Sequence, residues 1–211
     1  MMSATVVFDL DDTLVKEIDY LKSAFKAIAL RVDSTSDTLF EQMMQWYQNK
    51  DNVFQNIENL YGVSVNELKQ QYRTHVPDFT QHNGVPELLL RFKEKGCFIG
   101  LITDGYSLTQ RNKLKALGIE ELFDLIVISE EFGSEKPNEN NYKVFHQFET
   151  KDYFYIGDNT AKDFVTPNRL GWITVGLLNN GKNIHPQDFT KKNVYLPQKT
   201  IADLNELFIF I

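Results

Sequence analysis

Thr5-Val6-Val7-Phe8-Asp9-Leu10-Asp11-Asp12-Thr13-Leu14 decides how this chain is read. A β-branched apolar run stops abruptly at three carboxylates within four residues. Continuous hydrophobicity without alternation, as in 5–8, is the pattern of a strand covered on both faces. The carboxylates that follow repel one another and are poor strand material. In an open α/β sheet, ligands bind beyond the carboxyl ends of the strands, so an acidic cluster at this place marks a candidate site. A bound divalent cation would offset the repulsion. Taken alone, the same pattern also describes an acidic turn that caps the next helix.

Four more apolar runs resemble the first, at 97–102, 125–128, 153–156 and 172–175. Helical patterns lie between them, at 85–95, 108–117, 138–148 and 161–170. Pro86 suits a first helical turn after a Gly84 turn, Gly118 suits a left-handed cap, and Pro167 shortens or kinks the last segment. Alternating strands and helices predict an α/β fold, a doubly wound parallel sheet. More than eighty residues separate Phe8 from Cys97, far beyond the dozen or so a crossover needs. Residues 17–31 place Ile18, Leu21, Phe25, Ile28 and Ala29 at helical spacing, and Leu39, Met43, Trp46 and Tyr47 repeat it. Segments 53–60 and 65–72 predict two more helices. The expectation is an all-helical insertion at 15–82 within a core made of 1–14 and 83–211. Its aromatic and methionine positions read as bundle core.

Of the 211 residues, 42% are apolar and 24% charged, with a net charge of −7. That balance argues against a nucleic acid or an anionic membrane as partner, while a local cation and a lysine still admit a phosphorylated small molecule. No apolar stretch reaches the ~20 residues of a membrane span, and 6–8 lacks the flanks of a signal peptide. A single cysteine, Cys97, fits a reducing cytoplasm and reads as a core residue. His75, His82, His146 and His185 lack close metal-ligand spacing and read as surface or satisfied polar groups.

The remaining strand ends each carry chemistry. The second ends in Thr103-Asp104-Gly105, a hydroxyl and a turn able to offer backbone N–H groups to phosphate. After the third comes Lys136, held before Pro137. The fourth ends in Gly157-Asp158, with Asp163 five residues on. In this order, after successive strands, the segments resemble the four motifs of the haloacid dehalogenase superfamily. The Gly84-Val85-Pro86-Glu87-Leu88-Leu89 and Leu170-Gly171-Trp172-Ile173-Thr174 stretches also resemble that family. The resemblance implies a five-stranded core sheet ordered 5-4-1-2-3, with 15–82 as a mobile cap domain.

It also implies a magnesium-dependent phosphomonoester hydrolase. Asp9 would be the nucleophile and form an aspartyl phosphate. Asp11 would act first as acid and then as base. Thr103, Asp104 and Lys136 would bind the phosphoryl group, and Thr13 would support the Asp9 loop. Mg2+ would be held by Asp9, the Asp11 carbonyl and Asp158, with Asp163 beside them. Family members that cleave carbon–halogen bonds typically lack an acid at the Asp11 position, whereas a phosphomutase can share every core residue. A phosphoaspartate signalling receiver would place its acceptor after the third strand, where this chain has Ser129. Sugar phosphates, nucleoside monophosphates and phosphoglycolate all stay open as substrates. Lys16 and Tyr20 near the insertion's first end, and Arg73 and His75 near its second, could face the site, with a solvated or packing role as the favoured reading for each.

Overall fold

In a computed structural model of the protein, residues 4–35, 38–79 and 84–211 are described. His82 and the expected 82/83 boundary lie outside them. The chain runs β1 (Ala4–Phe8), α1 (Glu17–Val32), α2 (Thr38–Gln48), α3 (Val53–Tyr61), α4 (Val65–Thr74), α5 (Gly84–Glu94), β2 (Phe98–Thr103) and α6 (Ser107–Leu117). It continues through β3 (Leu125–Ile128), α7 (Ser129–Phe132), α8 (Asn140–Lys143), β4 (Asp152–Gly157), α9 (Val165–Arg169), β5 (Ile173–Leu177) and β6 (Lys199–Ile201).

One parallel sheet is ordered β3-β2-β1-β4-β5-β6. The expected order of the first five strands is present, and the expected count is corrected by a sixth at the edge. That strand, Lys199-Thr200-Ile201, buries only its isoleucine, so it lacks the apolar run by which the inner strands are recognised. β1 lies centrally and alternates across the sheet: Val6 and Phe8 pack into one apolar cluster, Val7 into another with Phe145, Tyr155 and Trp172. Cys97 is buried in the first of these.

Three helices differ from expectation. The segment 138–148 is a short α-helix, Asn140–Lys143, followed by a 3-10 helix, Val144–Phe148. The segment 161–170 is helical only over Val165–Arg169, because the turn before it is shaped by the Asp163 carboxylate. Pro167 still falls in the first turn, where its missing N–H breaks no intrahelical bond. α5 begins on Gly84 itself rather than after it.

The inserted helices have an apolar centre of their own. Leu21, Phe25 and Ile28 from α1 meet Leu39 and Met43 from α2, Ile57 from α3 and Leu68 from α4. Asn52 and Ser64 cap α3 and α4 by accepting from Gln55 and Glu67 backbone N–H groups. α4 ends against α6: the Asn112 amide donates to the carbonyls of Thr74 and His75, and Thr109 Oγ1 donates to that of Arg73. These bonds satisfy orphan carbonyls that the end of a helix leaves exposed.

Candidate active site

The site is assembled past the ends of four neighbouring strands, β3, β2, β1 and β4. The Asp9 N–H donates to Ile156 O at 2.8 Å, extending the β1–β4 ladder by one rung and fixing the carboxylate just past it. The next residues turn sharply. Asp12 adopts a left-handed φ of 57°, which Asp tolerates better than most residues. The N–H groups of Leu14 and Val15 both donate to Leu10 O. This turn holds itself through its backbone. The Thr13 hydroxyl, expected to support it, is buried and makes no hydrogen bond.

Asp9, Thr103, Lys136, Asp158 and Asp163 are all 5% exposed or less. Lys136 Nζ lies 2.8 Å from Asp9 Oδ1 and 2.8 Å from Asp163 Oδ1. Burial disfavours its charge, but the two carboxylates, Asp163 foremost, outweigh that and hold the ammonium well above its usual pKa. Burial raises the Asp9 carboxyl, against the pull of Lys136. Asp158 is pushed up to about 7, first by burial and then by Asp163. One ammonium among three buried carboxylates leaves an excess of negative charge.

Carboxylate oxygens of Asp9, Asp158 and Asp163 come within 4.8 Å of one another. Hard oxygen donors at this spacing fit a small divalent cation. Their engagements differ, however. Asp163 Oδ2 accepts from the N–H groups of Asp158 (3.1 Å) and Asn159 (2.8 Å), while its Oδ1 holds Lys136 and lies 3.3 Å from the Tyr155 hydroxyl. Both oxygens are committed. Asp158 Oδ2 accepts only from Asn183 Nδ2, at 2.7 Å. The close packing of Asp163 also explains Gly157, where an added Cβ would stand 2.5 Å from Asp163 Oδ2.

Asp104, expected to contact phosphate, lines the cavity and has both carboxylate oxygens engaged. Its Oδ1 accepts from Lys136 N at 3.0 Å and its Oδ2 from Lys162 Nζ at 2.6 Å. Its side chain therefore orders the Lys136 loop. The Gly105 N–H, expected to face phosphate, donates to Ser129 Oγ at 2.9 Å. Asp11 stands at the mouth, paired through Oδ1 with Lys113 at 2.6 Å and accepting at Oδ2 from Gln110 at 2.9 Å.

A cavity of about 100 Å³ opens over this group, lined by Asp9, Asp11, Asp12, Thr103, Asp104, Lys136, Asp158 and Asn159 together with Glu17, Lys162 and His185. The last three were not singled out by motif. Glu17 opens α1 and is pushed up to about 7 by burial and by Asp11. Asp12 Oδ1 accepts from the Glu17 N–H and Oδ2 from that of Ile184, so this buried carboxylate ties α1 and the 179–187 loop to the strand end. The other residues near the insertion's ends pack or bond elsewhere. Tyr20 donates to Tyr72 O, His75 bonds Ser23, Arg73 stacks on Tyr106, and Lys16 donates to Asn183. His146 packs against Trp172.

The chain is similar to known proteins over most of its length. A glyceraldehyde 3-phosphate phosphatase of Methanocaldococcus jannaschii is 30% identical over 82% of this chain and 84% of its own. A pyrimidine 5'-nucleotidase of Escherichia coli is 34% identical over 52% of this chain and 47% of its own. Among solved structures, the hydrolase YfnB of Bacillus subtilis, bound to magnesium, superposes with a TM-score of 0.68 at 17% identity, covering 100% of this chain and 99% of that one. The pattern of the haloacid dehalogenase-like hydrolases matches residues 6–176, spanning the strand ends that form the cavity, and the chain belongs to that family.

Proposed function

We propose that the protein is a magnesium-dependent phosphomonoesterase that hydrolyses a small phosphorylated metabolite through phosphorylation of Asp9. The observation that carries this reading is the Asp9 carboxylate, held 2.8 Å from Lys136 on the floor of a polar cavity with an acidic group at its mouth. The phosphatase names of the relatives above support the reaction class.

Asp9 attacks phosphorus through the oxygen not engaged by Leu10 N and Lys136. Thr103 Oγ1 and Lys136 Nζ face the cavity as donors for the phosphoryl oxygens. Asp11 transfers a proton to the departing alkoxide and then takes one from the water that cleaves the acyl phosphate. Asp9, Asp158 and the Asp11 carbonyl would hold Mg2+, with Asp163 orienting Lys136 and the Asp158 turn. When bound, the cation neutralises the charge of the carboxylates and of the phosphoryl group. Residues 15–82 act as a cap over a core of 1–14 and 83–211, with Glu17 as the cap's contribution to the cavity wall. The cavity is well below the ~300 Å³ at which drug-sized ligand pockets begin. It accommodates a phosphoryl group and little of a leaving group unless the cap helices move apart from the core.

A phosphomonoester panel tests the reading. Turnover of sugar phosphates, short-chain phosphates or nucleoside monophosphates is expected with magnesium, is lost in excess chelator and returns on adding magnesium. Full activity in chelator, or inactivity across the panel, would overturn it.

A further inference from the structure

Asp11 is gripped from one side by one helix. On α6, Lys113 and Gln110 stand one turn apart, and each takes one oxygen of the carboxylate, at 2.6 Å and 2.9 Å. Both side chains are buried, Lys113 at 3% exposure. The orientation of the Gln110 amide is fixed by its surroundings. Nε2 also donates to Thr103 Oγ1 (2.6 Å) and Asp104 O (2.9 Å), and both the Asp11 carboxylate and the Asp104 carbonyl are acceptors only. The Oε1 atom is left buried and without a partner. An unsatisfied buried acceptor costs about 1–3 kcal/mol. The amide accepts that cost while its two N–H groups are shared among three site oxygens.

The same side of α6 carries the inserted helices. Thr109 and Asn112 hold the end of α4, and the Lys113 ammonium lies 4.7 Å from the centre of the Tyr20 ring on α1. Tyr20 in turn bonds α4 through Tyr72 O. The element that seats the cap is therefore the one that grips the carboxylate at the mouth.

We propose that Lys113, with Gln110, is the positioning residue for the proton-transfer carboxylate Asp11, and that it ties the setting of that carboxylate to the seating of the inserted helices. The inference rests on the phosphatase reading above. Lys113 does not line the cavity and acts through Asp11. It holds Asp11 in one rotamer facing the leaving group, and the Tyr20 ring holds the ammonium in place only while α1 is seated.

Lys113→Met removes the ammonium and keeps an unbranched apolar stem against Tyr20. A residue acting through the acid must be felt according to the leaving group. Turnover of an alkyl phosphate is expected to fall about tenfold or more, a part of the ~100- to 10,000-fold typical of general acid–base catalysis. First-turnover phenol release from an aryl phosphate should fall less than about threefold, since a phenolate departs without much help. Inhibition by inorganic phosphate should be unchanged. In an Asp11→Asn background the same substitution should have almost no further effect on the alkyl ester, because coupled residues are not additive.

Equal losses on both esters, or full additivity with Asp11→Asn, would overturn the proposal. Lys113→Gln carries the same expectation if Lys113→Met does not fold. Gln110→Met, which opens the grip from its other side, serves if neither folds. A native protein that hydrolyses no phosphomonoester defeats the phosphatase reading. A native phosphatase whose Lys113 variants slow both esters alike defeats only this inference.

Discussion

The floor and the mouth of the cavity are built by different means. Asp9 is fixed by a ladder hydrogen bond, Asp158 and Thr103 sit at strand ends, and Asp163 is clamped by two backbone N–H groups and Lys136. These groups are almost fully buried. At the mouth, Asp11 depends on side chains of α6, Glu17 on the start of α1, and the half-buried Lys162 on Asp104. The floor is rigid because the sheet cannot move it without breaking rungs. The mouth rests on side-chain contacts between helices, which can be remade when those helices shift. Charge must be held still where phosphorus reacts, whereas the leaving group must enter and depart.

Breaking the floor should separate activity from stability most clearly. Asp9→Asn removes the proposed nucleophile, so turnover and phosphoenzyme, read by intact mass after an acid quench, should both disappear. The fold should hold its urea midpoint or gain, because a buried carboxyl raised by desolvation is replaced by a neutral amide. Lys136→Met should also abolish turnover but destabilise the protein by about 3–5 kcal/mol, since it strands two buried carboxylates. If both variants lost stability alike, the floor would not carry the excess of negative charge that the geometry indicates.

The next effect is smaller and depends on pH. Asp158 is held at about 7 in the folded protein, above the ~3.9 of an unfolded aspartate. Between those values the unfolded chain has released a proton that the native state keeps. In chelator this group's contribution to stability is therefore present at low pH and is lost as pH rises from about 4 to about 7. Glu17, also near 7, acts with the same sign. Magnesium requires the ionised carboxylate, so its gain in melting temperature should grow across that window. Asp158→Asn isolates the effect. In chelator the variant should gain on the native protein from pH 4 to pH 8, and a constant difference would show that Asp158 is not desolvated.

The difference between floor and mouth also sets what the sequence discloses. Asp9, Thr103 and Asp158 lie at or next to a strand end, so the apolar runs place them on one edge, whereas Lys136 and Asp163 lie further along the chain and are picked out by their resemblance to the family motifs. Asp104 is adjacent to Thr103 in sequence, yet its carboxylate turns to Lys136 N and Lys162. Local spacing does not encode that choice. Lys113 and Gln110 lie one helical turn apart in Ser107–Leu117, but nothing in that segment marks which face meets Asp11 about a hundred positions away. Their one signal is a lysine and an amide on the buried face of a helix, where polar groups need partners. Thr13 misleads in the opposite way, since its conspicuous position carries an unused hydroxyl. β6 escaped because an edge strand need bury only one residue.

The smallest expected effect tests where the mouth ends. Arg73, from α4, lays its guanidinium 3.8 Å from the centre of the Tyr106 ring and donates to the Tyr106 hydroxyl at 2.6 Å. Both groups are at the surface, and Arg73 does not line the cavity. An exposed cation–π contact contributes about 0.5–1 kcal/mol, and solvent weakens the accompanying hydrogen bond. Arg73→Ala should therefore lower stability to urea by no more than about 1 kcal/mol. Asn112→Ala should cost more, because its buried amide serves two carbonyls at the end of the same helix. Neither side chain touches Asp11, so Arg73→Ala should keep turnover of alkyl and aryl phosphates within about twofold of the native protein. A tenfold loss in Arg73→Ala with the urea midpoint unchanged would mean that the guanidinium reaches the leaving group when the cap is seated. The mouth would then extend past α6 to the end of α4.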